Sequence, residues 1–312
     1  MWVEFKCSAS VKSMPGYAHA NPACIIVSRF FMKQLTFNFI VLSTCITLST
    51  SVLAARSPLK VCNAENEMPY ANKNGEGFEN KIAQLIGDEL NRKVEYVHWN
   101  DPRYLVRDYL DKGKCDVVIG LDTGDPRVLT TSPYYRSGYV FITQANARLN
   151  LSDWKSEALQ KSARIAFIPG TPAEVMMKAI GRYHDQFNYM HELVGFKSRR
   201  NQYIKYDPAK LVAEVESGKA EIAVLWGPSA ARYVKAASTP LAMTIIPDNS
   251  VRADGEKMPF HYSTSMAVRK GETQLLTELN QAIKNRKQEI TQILEAEGIP
   301  LVPENNPALA SN

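Results

Sequence analysis

The chain has 312 residues, with 37 Lys and Arg against 32 Asp and Glu and a formal charge of +5. That length is enough for a sizeable core or for two lobes. A charge surplus this small, part of it in the first 54 residues, leaves no strong nucleic-acid footprint.

The amino-terminal region reads as an export signal. Residues 1–31 precede a plausible start at Met32 and look like a misassigned start or a leader. Met32-Lys33 opens a short basic segment, and Phe37 to Leu53 is apolar, contains Ser and Thr, and carries no charge. Val52-Leu53-Ala54 then offers small residues to a signal peptidase. The expectation is cleavage after Ala54 and a periplasmic protein without a membrane span. A membrane anchor fits less well, because the apolar stretch is short and the cleavage site follows at once. Losing residues 1–54 removes four basic residues, one acid and Cys7, Cys24 and Cys45. The mature chain is then nearly neutral and keeps two cysteines, Cys62 and Cys115. An even pair in an oxidising compartment is expected to form a disulfide. Two buried thiols are the alternative, since Cys62 lies late in one strand and Cys115 early in another.

Strands then alternate with helices, which argues a parallel α/β architecture. Leu59 to Asn63 reads as a strand. Phe78, Ile82, Leu85, Ile86 and Leu90 recur at helical spacing, so residues 77–91 form an amphipathic helix. Val94 to Trp99 is a strand, Tyr104 to Lys112 a helix stopped by Gly113, and Asp116 to Gly120 a third strand. The turn Asp122-Thr123-Gly124-Asp125-Pro126 follows, then Arg127, then Ser132-Pro133-Tyr134-Tyr135, then a strand from Tyr139 to Thr143. An apolar strand ending in a polar, glycine-containing turn marks the sheet edge where open α/β sheets bind ligands.

A second unit starts near Asn146. Arg164 to Ile168 is a strand, and Pro172 suits the first position of a helix reaching about Arg182. Pro208 to Ser217 is a helix stopped by Gly218, and Ile222 to Trp226 is a buried strand. Asp248 to Pro259 reads as a polar loop and Thr264 to Val268 as a strand returning to the first unit. Leu275, Leu279, Ile283, Ile290 and Leu294 mark carboxy-terminal helices stopped by Gly298 and Pro300. The expected organisation is one lobe from 55–142 plus 261–303, a second from 143–260 inserted into it, and a flexible tail at 304–312.

At this point the chain resembles the periplasmic solute-binding proteins of extracellular family 3. The resemblance is carried by GFENKIAQLIGDEL (Gly77 to Leu90), GKCDVVIG (Gly113 to Gly120), TTSPYY (Thr130 to Tyr135), IAFIPGTPAEV (Ile165 to Val175) and SGKAEIAVLWGP (Ser217 to Pro228). It implies an α/β, bilobal type II binding-protein fold, with two parallel or mixed sheets flanked by helices and joined by two hinge crossings. Within the family, LKVCNAENEMPY, LTTSPYYRSGYVFIT and AVLWGP are similar to a subgroup associated with methanol oxidation. That likeness implies a non-catalytic accessory of a quinoprotein methanol dehydrogenase and its cytochrome c acceptor, a monomer when free. The alternative is a transporter-coupled receptor for a small organic solute.

The resemblance also assigns ligand positions, and here the chain departs from the family. Arg127 stands where amino-acid-binding members clamp a carboxylate, but it is five residues from Ser132 instead of seven. It either points into a cleft or pairs with Asp122 or Asp125. Gly170-Thr171 forms a helix start able to hold an anion, although Pro172 removes one donor. Trp226 occupies the place of the carboxylate that holds a substrate ammonium, and Glu67 that of an aromatic stacking residue. These departures argue against free amino acids. Trp226 is either an aromatic wall or a core residue ending a strand. Tyr134, Tyr135, Tyr139 and Phe141 divide in the same way.

No cofactor or metal is expected. His98, His184, His191 and His261 show no ligand spacing, and Asp122 to Asp125 reads more readily as an Asx turn than as a calcium loop. Glu65 and Glu67 are acids without a paired base, so catalysis has little support.

Overall fold

The computed structural model describes residues 56–194 and 206–303. The expected leader and the tail at 304–312 lie outside them. Among the described residues nine strands form one mixed sheet. The larger ones are β1 (Leu59–Ala64), β2 (Val94–Trp99), β3 (Val117–Asp122), β4 (Tyr135–Gln144), β5 (Ile165–Phe167), β6 (Ile222–Trp226), β7 (Leu241–Ile245) and β8 (His261–Val268). Their order is β2-β1-β3-β8-β4-β6-β5, with β7 on β4. The pairs β1–β2, β1–β3 and β5–β6 are parallel, whereas β8 and β4 run antiparallel to their neighbours.

One strand carries the chain between the halves of this sheet. Tyr135 to Gly138 of β4 pairs with β8, and Tyr139 to Ile142 pairs with β6. Gly138 sits at the change of partner. A Cβ there would stand 2.7 Å from His261 Cδ2, so a larger residue would push the two crossing segments apart. Beneath them Arg136 and Asp248 form an ion pair at 3.6 Å, both side chains 2% exposed. Asp248 also accepts the Phe260 N–H at 2.7 Å. The polar loop expected from Asp248 to Pro259 therefore begins with a buried anchor, because a charged pair plus backbone donors can satisfy a carboxylate away from water.

Apolar side chains gather on both sides of the crossing. One cluster holds β5, the first residues of β6 and the middle of β4, with Trp154, Met177 and Leu211. On the other side, alternation along β1 and β3 separates two faces. Leu59, Val61, Val117 and Ile119 pack with helix α1 (Phe78–Glu89), while Cys62 and Val118 face Leu105 and Leu110. Cys62 and Cys115 are joined by a disulfide, with their Cα atoms 5.4 Å apart. Cys115 lies in the turn ahead of β3 instead of opening the strand, so parallel register does not govern its distance from Cys62.

The longer of the remaining helices are α2 (Pro172–Ala179), α3 (Tyr183–Val194), α4 (Pro208–Glu216), α5 (Gly227–Ala236), α6 (Thr273–Asn285) and α7 (Lys287–Ala296), with a short one at Glu157–Lys161. The segment expected as a helix from Tyr104 is a wider turn, Leu105–Leu110. Elements beyond the sequence reading include α3, α5 and β7, and the expected polar loop carries two short paired strands, Ser250–Val251 and Lys257–Met258. In α5, Gly227-Pro228 looks like a breaker, yet Pro is compatible with the first helical turn, where its missing N–H leaves no bond unmade.

Candidate functional site

A cavity of about 440 Å³ opens where β3, β4, β6 and β8 meet near the crossing. Its walls come from Tyr70, from Glu79 at the start of α1, and from Gly120 to Asp122 at the end of β3. Tyr135 and Tyr139 of β4, Trp226 at the end of β6, and Tyr262 and Thr264 of β8 complete it. A neighbouring cavity of about 350 Å³ shares Tyr70, Tyr139 and Trp226 and runs on to Glu67, Ile168, Thr171 and Tyr206.

The aromatic wall follows from strand register. Tyr139 lies opposite Trp226 across β4 and β6, with ring centroids 5.5 Å apart. Tyr262 closes a triangle, 6.3 Å from Tyr139 and 5.8 Å from Trp226, and both contacts are edge-on. Such tilted arrangements suit the quadrupoles of the rings. Burial pushes the Tyr135 and Tyr139 hydroxyls well above their ordinary range, so both stay neutral.

Glu79 is the residue that the sequence reading missed. Its helix start is held by a buried amide pair: Asn80 Nδ2 donates to Asn63 Oδ1 at 2.8 Å, and Asn80 Oδ1 accepts from the Gly77 and Asn72 N–H groups at 3.1 Å. The next side chain back, Glu79, reaches across to β3 and lies over Gly120. A Cβ on Gly120 would collide with Glu79 Oε1. Burial among the rings raises its carboxyl to about 7. Only Gly77-Phe78-Glu79 at a helix start, facing a glycine at a strand end, signalled this in sequence, and an acid in a first helical turn ordinarily reads as a dipole partner.

The expected site residues are distributed unevenly. Trp226 and Asp122 line the larger cavity, and burial together with Asp125 pushes the Asp122 carboxyl upward. Glu67 and Thr171 line the smaller one. Arg127 is not brought to either. Its Nη2 and Nε hold Asp125 at 2.6 and 3.0 Å, its backbone N–H donates to the same carboxylate, and its side chain is 57% exposed. The shortened turn explains this, because Asp125 lies two residues before Arg127 and captures it locally. Tyr134 is in the core, donating to the Ile119 carbonyl at 3.1 Å, and Tyr135 takes the cavity position. Gly170 N–H donates to Glu174 Oε2 at 2.7 Å, so the α2 start is already occupied by the chain's own carboxylate. Although partial burial opposes it, bonds from Lys178 and Gly170 hold that carboxyl below its usual range.

A second polar cluster ties the crossing to the carboxy-terminal helices. Glu297, 6% exposed, accepts from Arg232 of α5 at 2.5 and 2.8 Å and from Lys81 of α1 at 2.9 Å. Arg232 also donates to the Glu76 carbonyl at 3.1 Å. Among the described residues no group of three or more His, Cys, Asp or Glu side chains is arranged to hold a metal ion, and no helix is long and apolar enough to cross a membrane.

The family described as bacterial extracellular solute-binding proteins, family 3, matches residues 59–296. Protein MoxJ of Methylorubrum extorquens is 47% identical over 249 residues, which are 80% of this chain and 83% of that protein. The crystal structure of MxaJ from Methlophaga aminisulfidivorans MPT is 48% identical with a TM-score of 0.75, covering 78% of this chain and 100% of the other. The crystal structure of the periplasmic binding protein XoxJ from Methylobacterium extorquens AM1 is 28% identical with a TM-score of 0.57, covering 79% of this chain and 100% of the other.

Proposed function

We propose that this chain, which belongs to the bacterial extracellular solute-binding proteins of family 3, is a periplasmic accessory of a methanol-oxidation system. In this reading it binds the methanol dehydrogenase, its cytochrome c acceptor or both, and aids assembly, activation or electron transfer without catalysis of its own. It reaches the periplasm after cleavage following Ala54. Its lobes are 55–142 plus 261–303 and 143–260.

The likeness to MoxJ and MxaJ, at 47% and 48% identity over about four fifths of the chain, carries this reading. The site agrees with it. No Lys, Arg or His lines the larger cavity, so the cationic clamp that holds the carboxylate of a free amino acid is missing there. Pull-down of the tagged mature chain from periplasm tests the reading. Recovery of the dehydrogenase or its cytochrome at low salt supports it, and their absence while the two still bind each other overturns it.

A second reading is favoured by one observation. A cavity of about 440 Å³ is ample for a small molecule. The chain then serves as a receptor for a small organic ligand other than a free amino acid.

A further inference from the structure

We propose that the larger cavity binds an organic cation of the alkylammonium class, drawn by the Glu79 carboxylate and enclosed by the rings of Tyr70, Tyr139, Trp226 and Tyr262. The inference rests on the second reading above and names the class of ligand for it.

Charge is the first argument. Glu79 and Asp122 are the acids of the lining, and no Lys, Arg or His belongs to it. The arginines near the wall in sequence are engaged elsewhere, Arg136 with Asp248, Arg127 with Asp125 and Arg232 with Glu297. A ligand bearing a carboxylate or phosphate would meet repulsion without a counter-charge.

The second argument is the state of Glu79. Among the described residues its carboxyl has no hydrogen-bond or ion-pair partner, whereas the adjacent Asn80 bonds to Asn63, Asn72 and Gly77. A carboxylate half-buried among aromatic rings is costly until a cation neutralises it. A neutral guest would fit the rings but leave that cost in place.

Shape and ring chemistry narrow the cation. The space is far larger than a bare metal ion needs, and no ligand cluster for one exists among the described residues. Tyr139, Trp226 and Tyr262 meet at 5.5 to 6.3 Å in tilted and edge-on contacts, turning ring faces in several directions around one corner. Ring faces attract cations, and alkylated ammonium ions, which are weakly hydrated and carry apolar groups, gain most from such walls.

Isothermal titration calorimetry of the mature chain at pH 8 and low salt tests this. The probes are choline, its neutral isostere with a tert-butyl group in place of trimethylammonium, glycine betaine and L-glutamine. Choline is expected to bind saturably, with the isostere and betaine each weaker by about tenfold or more. Glu79→Gln and Trp226→Leu, each checked by circular dichroism and thermal melting, should each weaken choline by about tenfold or more. Equal affinity for choline and its isostere, or unchanged choline affinity in a folded Glu79→Gln protein, overturns the inference. Tighter binding of betaine overturns it while leaving a small-ligand receptor in place, and tighter binding of glutamine overturns both. Failure of all four probes overturns the alkylammonium assignment.

Discussion

The Glu79 carboxyl lies over Gly120, with Oε1 in the space that a Cβ on that residue would claim. A helix start and a strand end thus share one small volume, and a charged group is held at an aromatic wall. Gly120→Ala should force either Glu79 or β3 to move. A cost of about 1–3 kcal/mol is expected, as for overpacking elsewhere. Urea unfolding of the parent and variant measures it. The double variant with Glu79→Ala should recover most of the loss, because the collision partner is gone.

Glu79 also makes stability fall with rising pH. Its carboxyl titrates near 4.5 when unfolded and at about 7 when folded. Below 4.5 it is protonated in both states. Between 4.5 and 7 the folded protein keeps a proton that the unfolded chain has released, so stability declines across that window, and the full cost is present above 7. Glu79→Gln should therefore melt a few degrees higher than the parent at pH 8, corresponding to about 1–3 kcal/mol, and with little difference at pH 4. Differential scanning calorimetry at the two pH values reads this directly.

Glu297 has the opposite sign. Burial favours its neutral form, but bonds from Arg232 and Lys81 outweigh that and hold its carboxyl below the ordinary value of 4.5. The stabilisation is present above 4.5 and is lost as pH falls through the lowered folded value. Arg232→Ala should cost about 2–4 kcal/mol at pH 7, since a nearly buried carboxylate keeps only Lys81. The difference from the parent should shrink in urea titrations carried into acid.

Removing the Cys62–Cys115 bond releases a loop with a sequence separation of 53. Chain-entropy reasoning puts the loss at about 4 kcal/mol. Cys62→Ser with Cys115→Ser, or the parent under dithiothreitol, should lower the urea midpoint accordingly. If the reduced parent unfolds at the same urea concentration as the oxidised one, the bond has no such role.

Arg127→Ala should leave stability within about 0.5 kcal/mol and leave any small-ligand affinity unchanged, because its guanidinium is spent on an exposed local pair with Asp125. A large loss of ligand affinity in this variant would restore it as a carboxylate clamp.

Much of the sheet was legible because short continuous apolar runs such as Val117 to Gly120 and Ile222 to Trp226 are bounded by turns. Trp226 was found through the family resemblance, at the position of an ammonium-binding carboxylate, whereas its neighbour Tyr139 follows from strand register, which sequence does not show. Other features depended on long-range geometry. Glu79 became significant only once Gly120 and Tyr70 were beside it, over 40 residues and 9 residues away in the chain. Asp248 looked like part of a solvated loop because its partner, Arg136, lies on a strand more than a hundred residues earlier. Tyr134 and Tyr135 are adjacent aromatics whose rings touch, with centroids 5.1 Å apart, yet only Tyr135 lines the cavity, so spacing alone could not say which one meets it. Helix α5 was hidden by Gly227-Pro228, whose turn-like composition also suits a helix start.

The most direct test of the accessory role is biolayer interferometry of the purified mature chain against methanol dehydrogenase and cytochrome c acceptor from the same organism, at low and at physiological salt. The proposed role predicts saturable binding to at least one of them, weakening as salt rises. No binding at either salt, with the dehydrogenase and cytochrome still associating with each other on the same sensor, would contradict it.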